Sequence, residues 1–243
     1  MPSVVRVLEQ DPELGQELSG DRLNAARRAC LADLILVPRG SWQPEQGPES
    51  ARHGFGLLVL SGLLTRRVGR DGRFGAELLG SGDLLRPWDQ PAAISNIMPF
   101  SAEWKVMRPV RLALLDRRFA TRTAPYPEIA EEIIRRTLLR SRQLAMTMAI
   151  VHNPRVEVRV ELLLWVLAER WATVRPDGVA LSLPLTHALL ADLVAARRPT
   201  VSAALSSLSK RGRLRRDGDL WVLTERPPGE LEDLQLTTAP HTS

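Results

Sequence analysis

The stretch from Leu185 to Leu208 restricts what this chain can fold into more than any other. Thr186 can cap a helix by accepting a hydrogen bond from an orphan amide of its first turn. Leu189, Leu190, Leu193 and Val194 then recur at helical spacing and form one apolar stripe. Ala195-Ala196-Arg197 marks a tight turn. Pro199 falls in the first turn of a second helix, where the amide it lacks would be unpaired anyway. Val201, Leu205 and Leu208, with Ala204, give that second helix an inward face, and Arg198, Thr200, Ser202, Ala203, Ser206 and Lys210 point elsewhere. These outward residues are short or basic, so the backbone can approach a duplex closely. Arginine can bond both acceptors of a guanine edge, while Thr and Ser reach phosphates or bases. The pattern predicts a helix-turn-helix whose second helix enters a DNA major groove.

Downstream, Lys210-Arg211-Gly212-Arg213-Leu214-Arg215-Arg216 leads to Asp217-Gly218, a hairpin-turn signal, and Leu220-Trp221-Val222-Leu223 reads as the returning strand. A small β-wing beside the second helix is expected, with Arg213, Arg215 and Arg216 placed to touch phosphate. Such contacts would make binding steeply salt-dependent. Thr186, His187, Arg197, Arg198, Thr200, Ser202, Ser206 and Lys210 complete the candidate DNA-binding set.

Composition supports this reading in part. The 243 residues carry a formal charge of +5, and of 33 basic residues only Lys105 and Lys210 are lysine. Arginine abundance can reflect genome composition, so the charge alone is modest support for a nucleic-acid partner. One cysteine, Cys30, excludes an internal disulfide and a four-cysteine cluster, and it fits a reducing compartment. No apolar run approaches the ~20 residues of a membrane span. Asp11, Glu13 and Glu17 break up any signal-peptide core. A cytoplasmic protein without membrane association is expected. Only His53 lies in the strand-rich region, so no metal ligand set is expected there, and no cofactor is implied. No nucleophile with a base, and no paired carboxylates in a cleft pattern, suggest an enzyme.

Residues 11–32 read as amphipathic helical segments through Leu14, Leu18, Leu23, Ala26 and Leu31, broken at Gly20. From 33 to about 116 the texture is that of short strands: Leu34–Val37, Gly56–Leu60, Leu63–Val68, Phe74–Leu79, Ala102–Met107 and Val110–Leu115. Arg70-Asp71-Gly72-Arg73 signals a hairpin, and Ser81-Gly82-Asp83 another turn. Strands so short and closely spaced predict a closed or sandwiched antiparallel sheet. A long helix then runs from Pro127 to Asn153, ended by Pro154. Along it Ala130, Ile134, Thr137, Ser141, Leu144, Met148 and Val151 follow alternating four-three steps, the register of a coiled-coil seam. The helix either pairs with a second copy or packs along its own domain, and a homodimer is the preferred reading. A further helix from Arg155 to about Trp171 carries Val158, Leu162, Leu163, Val166 and Leu167 as a core face, and Arg175-Pro176-Asp177-Gly178 makes a turn before the DNA-binding helices.

A strand-rich domain, a long helix and a winged helix-turn-helix together resemble the CRP/FNR family of bacterial transcription regulators. The likeness spans nearly the whole chain. It is carried most specifically by Leu185-Thr186, Ala191-Asp192-Leu193 and Arg198-Pro199-Thr200-Val201-Ser202 with Leu205 and Leu208. It is carried more loosely by Gly56–Gly62 and by Gly80-Ser81-Gly82-Asp83-Leu84-Leu85. The resemblance implies an α+β fold with an antiparallel β jelly-roll, cyclic-nucleotide-binding-like sensor domain over 1–124 with its N-terminal helices. A dimerisation helix over 125–153, a winged helix-turn-helix over 154–228 and a flexible tail over 229–243 follow. It also implies base-facing Arg198 and Ser202, phosphate-facing Thr186 and Thr200, and a homodimer on a near-palindromic double-stranded site. RNA polymerase and an unidentified small-molecule effector are candidate partners.

The departures are specific. Ala195 and Arg197 stand where the family often has glycine and Ser or Thr, and Ala203 stands where many members carry a second base-reading arginine. In the cassette that holds cyclic-nucleotide phosphate, Gly82-Asp83 replaces a Gly-Glu pair. The later Arg-Ser is missing, the chain reading Ala92-Ala93-Ile94-Ser95-Asn96. A response to cyclic AMP in the usual way is therefore not expected, and a constitutive or architectural DNA-binding protein with a relic sensor domain is the alternative. For an effector pocket the candidates are Arg86, as an anion partner or an exposed loop residue, and Trp88 and Trp104, as cavity lining or packing.

Overall fold

In a computed structural model, residues 3–44, 53–88 and 101–224 are described. Two compact units result, Met1–Leu144 and Ala145–Ser243. The expected tail over 229–243 and the Ala92–Asn96 segment lie outside the described residues.

The first unit opens with β1 (Ser3–Arg6), α1 (Val7–Gln10), a 3-10 turn (Pro12–Gly15) and α2 (Gly20–Ala29). Strands β2 (Leu31–Val37), β3 (Gly40–Trp42), β4 (Gly54–Arg70), β5 (Arg73–Gly80), β6 (Leu84–Leu85) and β7 (Ser101–Asp116) follow, then α3 (Arg117–Thr123) and the long α4 (Pro127–Val151). The strands form one antiparallel sheet in the order β1-β2-β7-β4-β5, with β3 on β7 and β6 on β4. Leu31, expected at the end of a helix, instead opens β2 and pairs with Arg6. Cys30 ends α2 by donating its amide to Ala26, and the thiol beside that end is fully buried. Burial pushes the thiol up to about 12 despite the nearby Arg122 charge.

Four of the expected strands are two. Gly56–Leu60 and Leu63–Val68 belong to β4, and Ala102–Met107 and Val110–Leu115 to β7. Ser61-Gly62 is a bend rather than a turn, with register shifts against β7 on both sides of it. Gly62 has φ +101°, and a Cβ there would lie 2.3 Å from the Pro109 carbonyl oxygen. A glycine facing a proline at a bulge bends a strand pair without ending it. The Arg70–Arg73 hairpin forms as expected, with Asp71 and Gly72 both at positive φ.

The sheet is apolar on both faces, which explains runs such as Leu57-Leu58-Val59-Leu60. Alternate residues of a strand point to opposite faces. Leu57, Val59, Leu112 and Leu114 enter one core with Leu64, Leu79, Trp104 and Val106. Leu58, Leu60, Ala113 and Leu115 enter the other, with Leu8, Leu14, Phe119, Ile129 and Ile133 from the surrounding helices.

Among the described residues, three arginines join α4 to this unit. Arg136 reaches Asp11 through both terminal nitrogens at 2.5 and 3.0 Å and Glu132 through Nε at 2.6 Å. Arg140 grips Glu77 of β5 at 2.8 and 3.2 Å and donates to the Leu84 carbonyl at 2.9 Å. Arg22 of α2 pairs with Glu128 at 2.6 Å.

The second unit contains α5 (Val156–Trp171), β8 (Ala172–Arg175), β9 (Gly178–Leu181), α6 (His187–Leu193), α7 (Arg198–Lys210), β10 (Leu214–Asp217) and β11 (Leu220–Leu223). Its sheet runs β10-β11-β9-β8, so the Arg175–Gly178 turn closes a hairpin that extends the wing sheet. α5 is buried on more sides than one stripe: Val160, Glu161, Leu164 and Trp165 are enclosed along with Leu162, Leu163 and Leu167.

Candidate nucleic-acid interface

The helix-turn-helix assembles from the residues that the apolar spacing marked. Leu189, Leu190, Leu193 and Val194 of the first helix region and Val201, Ala204, Leu205 and Leu208 of the second are all buried. Thr186 caps α6, its Oγ1 accepting from the Leu189 amide at 3.1 Å. That hydroxyl keeps its own proton to donate. Between the helices Val194 caps α6 and Ala195 takes φ +50°. The Ala196 amide donates to the Ala191 carbonyl at 2.9 Å, the long bond of a Schellman motif, with Ala195 in the left-handed position usually given to glycine. Arg197, at the N-cap of α7, makes no side-chain cap bond. Arg159 of α5 supports the turn from behind, donating to the Val194 and Ala195 carbonyls at 3.2 and 3.3 Å.

From this scaffold Arg197, Arg198, Thr200, Ser206 and Lys210 are exposed along α7 and its start. His187 is exposed at the start of α6, and its Nδ1 lies 2.8 Å from Ser202 Oγ, which also donates to the Arg198 carbonyl at 3.1 Å. Ser202 is thus half-buried and held by both helices. A cleft of about 360 Å³ separates α7 from the wing, lined by His187, Ser202, Ser206, Arg215, Arg216 and Trp221 among others. Arg216 lies over the Trp221 ring, its Cζ 4.1 Å from the centroid.

The wing is tighter than expected, and its arginines differ from one another. Asp217 pairs with Leu220, so the two-residue loop is Gly218-Asp219 and Asp217 belongs to the strand. Arg213 turns inward onto Glu161 of α5 at 2.7 Å, where the carboxylate is 7% exposed. Arg215 pairs with Asp177 of the β8–β9 turn. Arg175 of the same turn bonds Asp177 at 3.1 Å and Asp217 of the wing at 3.2 Å. Hydrogen bonding from Arg215, ahead of the Arg175 charge, holds the Asp177 carboxyl below the usual carboxylate range. Arg211 bonds Glu157 at 2.6 Å. Sequence reasoning missed these acidic partners. Glu161 is visible as the lone charge in Val160-Glu161-Leu162-Leu163-Leu164-Trp165, whereas Asp177 shows locally only as part of a turn signal.

The effector-pocket candidates are engaged by the fold itself. Trp104 is 5% exposed and stacks edge-on against Trp42 at 5.7 Å. Arg86 donates to the Gly54 carbonyl at 2.7 Å and lies beside the half-buried Trp88. Asp83 accepts from the Gly80 amide at 2.7 Å, so its carboxylate closes the turn it belongs to. Along α4, Ile134, Thr137, Ser141, Leu144 and Met148 are exposed, and Ala130 and Val151 half-buried. Among the described residues no helix is long and apolar enough to cross a membrane, and no three His, Cys, Asp or Glu are grouped to hold a metal ion.

An antiparallel β unit followed by a winged helix-turn-helix with an arginine-rich face defines the class of α+β DNA-binding proteins with a cyclic-nucleotide-binding-like fold. Residues 158–228 match the family described as Crp-like helix-turn-helix domain. A CRP-like cAMP-activated global transcriptional regulator of Mycobacterium tuberculosis (strain CDC 1551 / Oshkosh) is 28% identical over 194 residues, which cover 79% of this chain and 84% of that protein. Among solved structures, a CooA mutant from Carboxydothermus hydrogenoformans matches with a TM-score of 0.63 and 17% identity, covering 98% of both chains. FixK2 from Bradyrhizobium japonicum matches with a TM-score of 0.61 and 20% identity, covering 87% of this chain and 99% of that one. Residues 158–228 thus belong to the Crp-like helix-turn-helix family, and the chain as a whole is similar to CRP-like transcription regulators in sequence and in fold.

Proposed function

We propose that this regulator acts as a homodimer that reads a near-palindromic DNA site. The observation that carries the reading is the seam of α4: in a helix of 25 residues, Ile134 is 57%, Leu144 37% and Met148 63% exposed, and Leu138 and Leu139 widen the apolar stripe. An apolar stripe at coiled-coil spacing on a helix ~37 Å long is suited to a second copy of itself. Each partner would present Arg198 to a base edge, with Thr186, His187, Arg197, Thr200 and Lys210 on phosphate and Ser202 and Ser206 facing the groove, and half-sites would lie ~34 Å apart. Sedimentation of the purified chain with genome-wide selection of bound fragments tests this. A two-chain mass and a two-fold symmetric motif are expected. A one-chain mass with no preference over scrambled duplex would overturn it.

The Mycobacterium tuberculosis relative is named as cAMP-activated. This chain does not take cyclic AMP in that way, a reading supported by Asp83, whose carboxylate is spent on the Gly80 amide. Calorimetric titration showing micromolar binding of cyclic AMP would refute it. The packing of Trp104 into the strand core favours a second reading, constitutive DNA binding. A thermal-shift screen of nucleotides and metabolites separates that reading from gating by another effector. The protein works in the cytoplasm, and RNA polymerase is its partner if it activates transcription.

A further inference from the structure

The wing presents its arginines with carboxylates already attached. Asp217, Arg175, Asp177 and Arg215 form a chain of alternating charge across the two hairpins of the second unit. Arg215 also lines the cleft between α7 and the wing. The Asp177 carboxylate therefore sits on a guanidinium that lines this cleft together with Ser206 and Ser209. Both members of the pair are half-exposed in their side chains, at 48% and 40%. An ion pair so wet is weak, and a phosphate can replace it.

We infer that Asp177 is a positioning residue that attenuates DNA affinity through Arg215, by occupying its guanidinium and standing as a negative charge where the sugar-phosphate strand passes. The inference rests on the DNA-binding reading of α7 and the wing. When Arg215 takes a phosphate it leaves Asp177, which keeps Arg175 as its partner, so the pair must be broken and a carboxylate stays beside the strand. Wild-type binding is therefore weaker than the wing's charge count implies, and the Asp177 charge lowers the local positive field that drives counterion release. Arg198 is untouched, so the effect falls equally on preferred and random sequence.

Fluorescence anisotropy of the full-length chain on a selected duplex and on its scrambled counterpart, across ~50 to ~200 mM salt, tests this. Asp177→Asn should tighten both duplexes by the same factor, up to about fivefold per protomer at low salt. It should also steepen the salt slope, since one negative charge beside the phosphates is removed. Asp177→Glu should restore wild-type behaviour. Asp219→Asn on the wing loop makes the same charge change away from Arg215 and should have a smaller effect. Equal effects of the Asp177 and Asp219 variants would reduce the matter to net charge and overturn the inference. Weaker binding by Asp177→Asn, with thermal stability unchanged, would show that the pair only holds the wing in place and would also overturn it. Failure of the wild-type chain to bind any duplex would instead sink the DNA-binding reading.

Discussion

Ala195 holds φ +50° with a methyl group attached, in a turn whose other features are those of a glycine-capped helix end. For an L-residue this conformation costs on the order of 1–2 kcal/mol, partly offset by the lower backbone entropy of alanine in the unfolded chain. Ala195→Gly should therefore raise stability by about 0.5–1 kcal/mol, read as a higher urea midpoint at unchanged slope. Five residues on, Thr200 and its neighbour Arg198 stand exposed with no apolar duty. Arg198→Ala should cost about 1–3 kcal/mol of affinity for the preferred site and relax selection at one base position. Uniform loss over all sequences would make Arg198 a phosphate clamp. At this scale the apolar residues were legible from periodicity alone. The partners of charged residues were not, because an ion pair leaves no spacing signature: Arg213 and Arg215 look alike in the sequence, yet one is turned onto buried Glu161 and the other onto a turn.

At the scale of elements, the N-terminal half of α4 is held by polar contacts on one side and left apolar on the other. Burial alone would lower the Arg136 pKa, but hydrogen bonds to Asp11 and Glu132 more than reverse this and keep it charged. Arg136→Ala leaves two enclosed carboxylates without their shared partner and should cost about 3 kcal/mol. Glu132 lies below its ordinary 4.5, held there first by the Arg135 hydrogen bond and then by Arg136, against the opposing effect of burial. A carboxyl depressed on folding contributes stability above its unfolded value, and that contribution is lost as pH falls through the folded value. Acid titration of stability should thus show a loss beginning near pH 4.5 that is shallower in Glu132→Gln, a variant less stable at neutral pH. Both effects belong to the helix's attachment and were invisible to heptad reasoning, which sees only the apolar positions. Strand merging has a similar cause. A Gly-containing break in hydrophobicity predicts a turn, and only the Pro109 carbonyl packed against Gly62 shows that β4 continues through it.

For the molecule as a whole, the formal charge of +5 is spread over two units, and the internal pairing described above removes part of the wing's basic run from the surface charge available to a duplex. Ile134→Glu with Met148→Glu puts two carboxylates on the proposed seam. The expected outcome is a one-chain mass by sedimentation, with folded circular dichroism retained and the affinity for a full symmetric site reduced toward that for a half-site. An unchanged two-chain mass would place the dimer contact elsewhere. Local pattern accounts for the main helices and most of the strand-forming runs, their buried stripes, the Thr186 cap, the helix start at Pro199 and the family likeness, because each is written in short-range periodicity and local hydrogen-bond chemistry. Which arginines remain open to a ligand, which strands are continuous and where the tryptophans point became visible once the chain was seen folded. Those outcomes depend on groups far apart along the chain, such as Asp177 and Arg215, meeting through packing that no local pattern encodes.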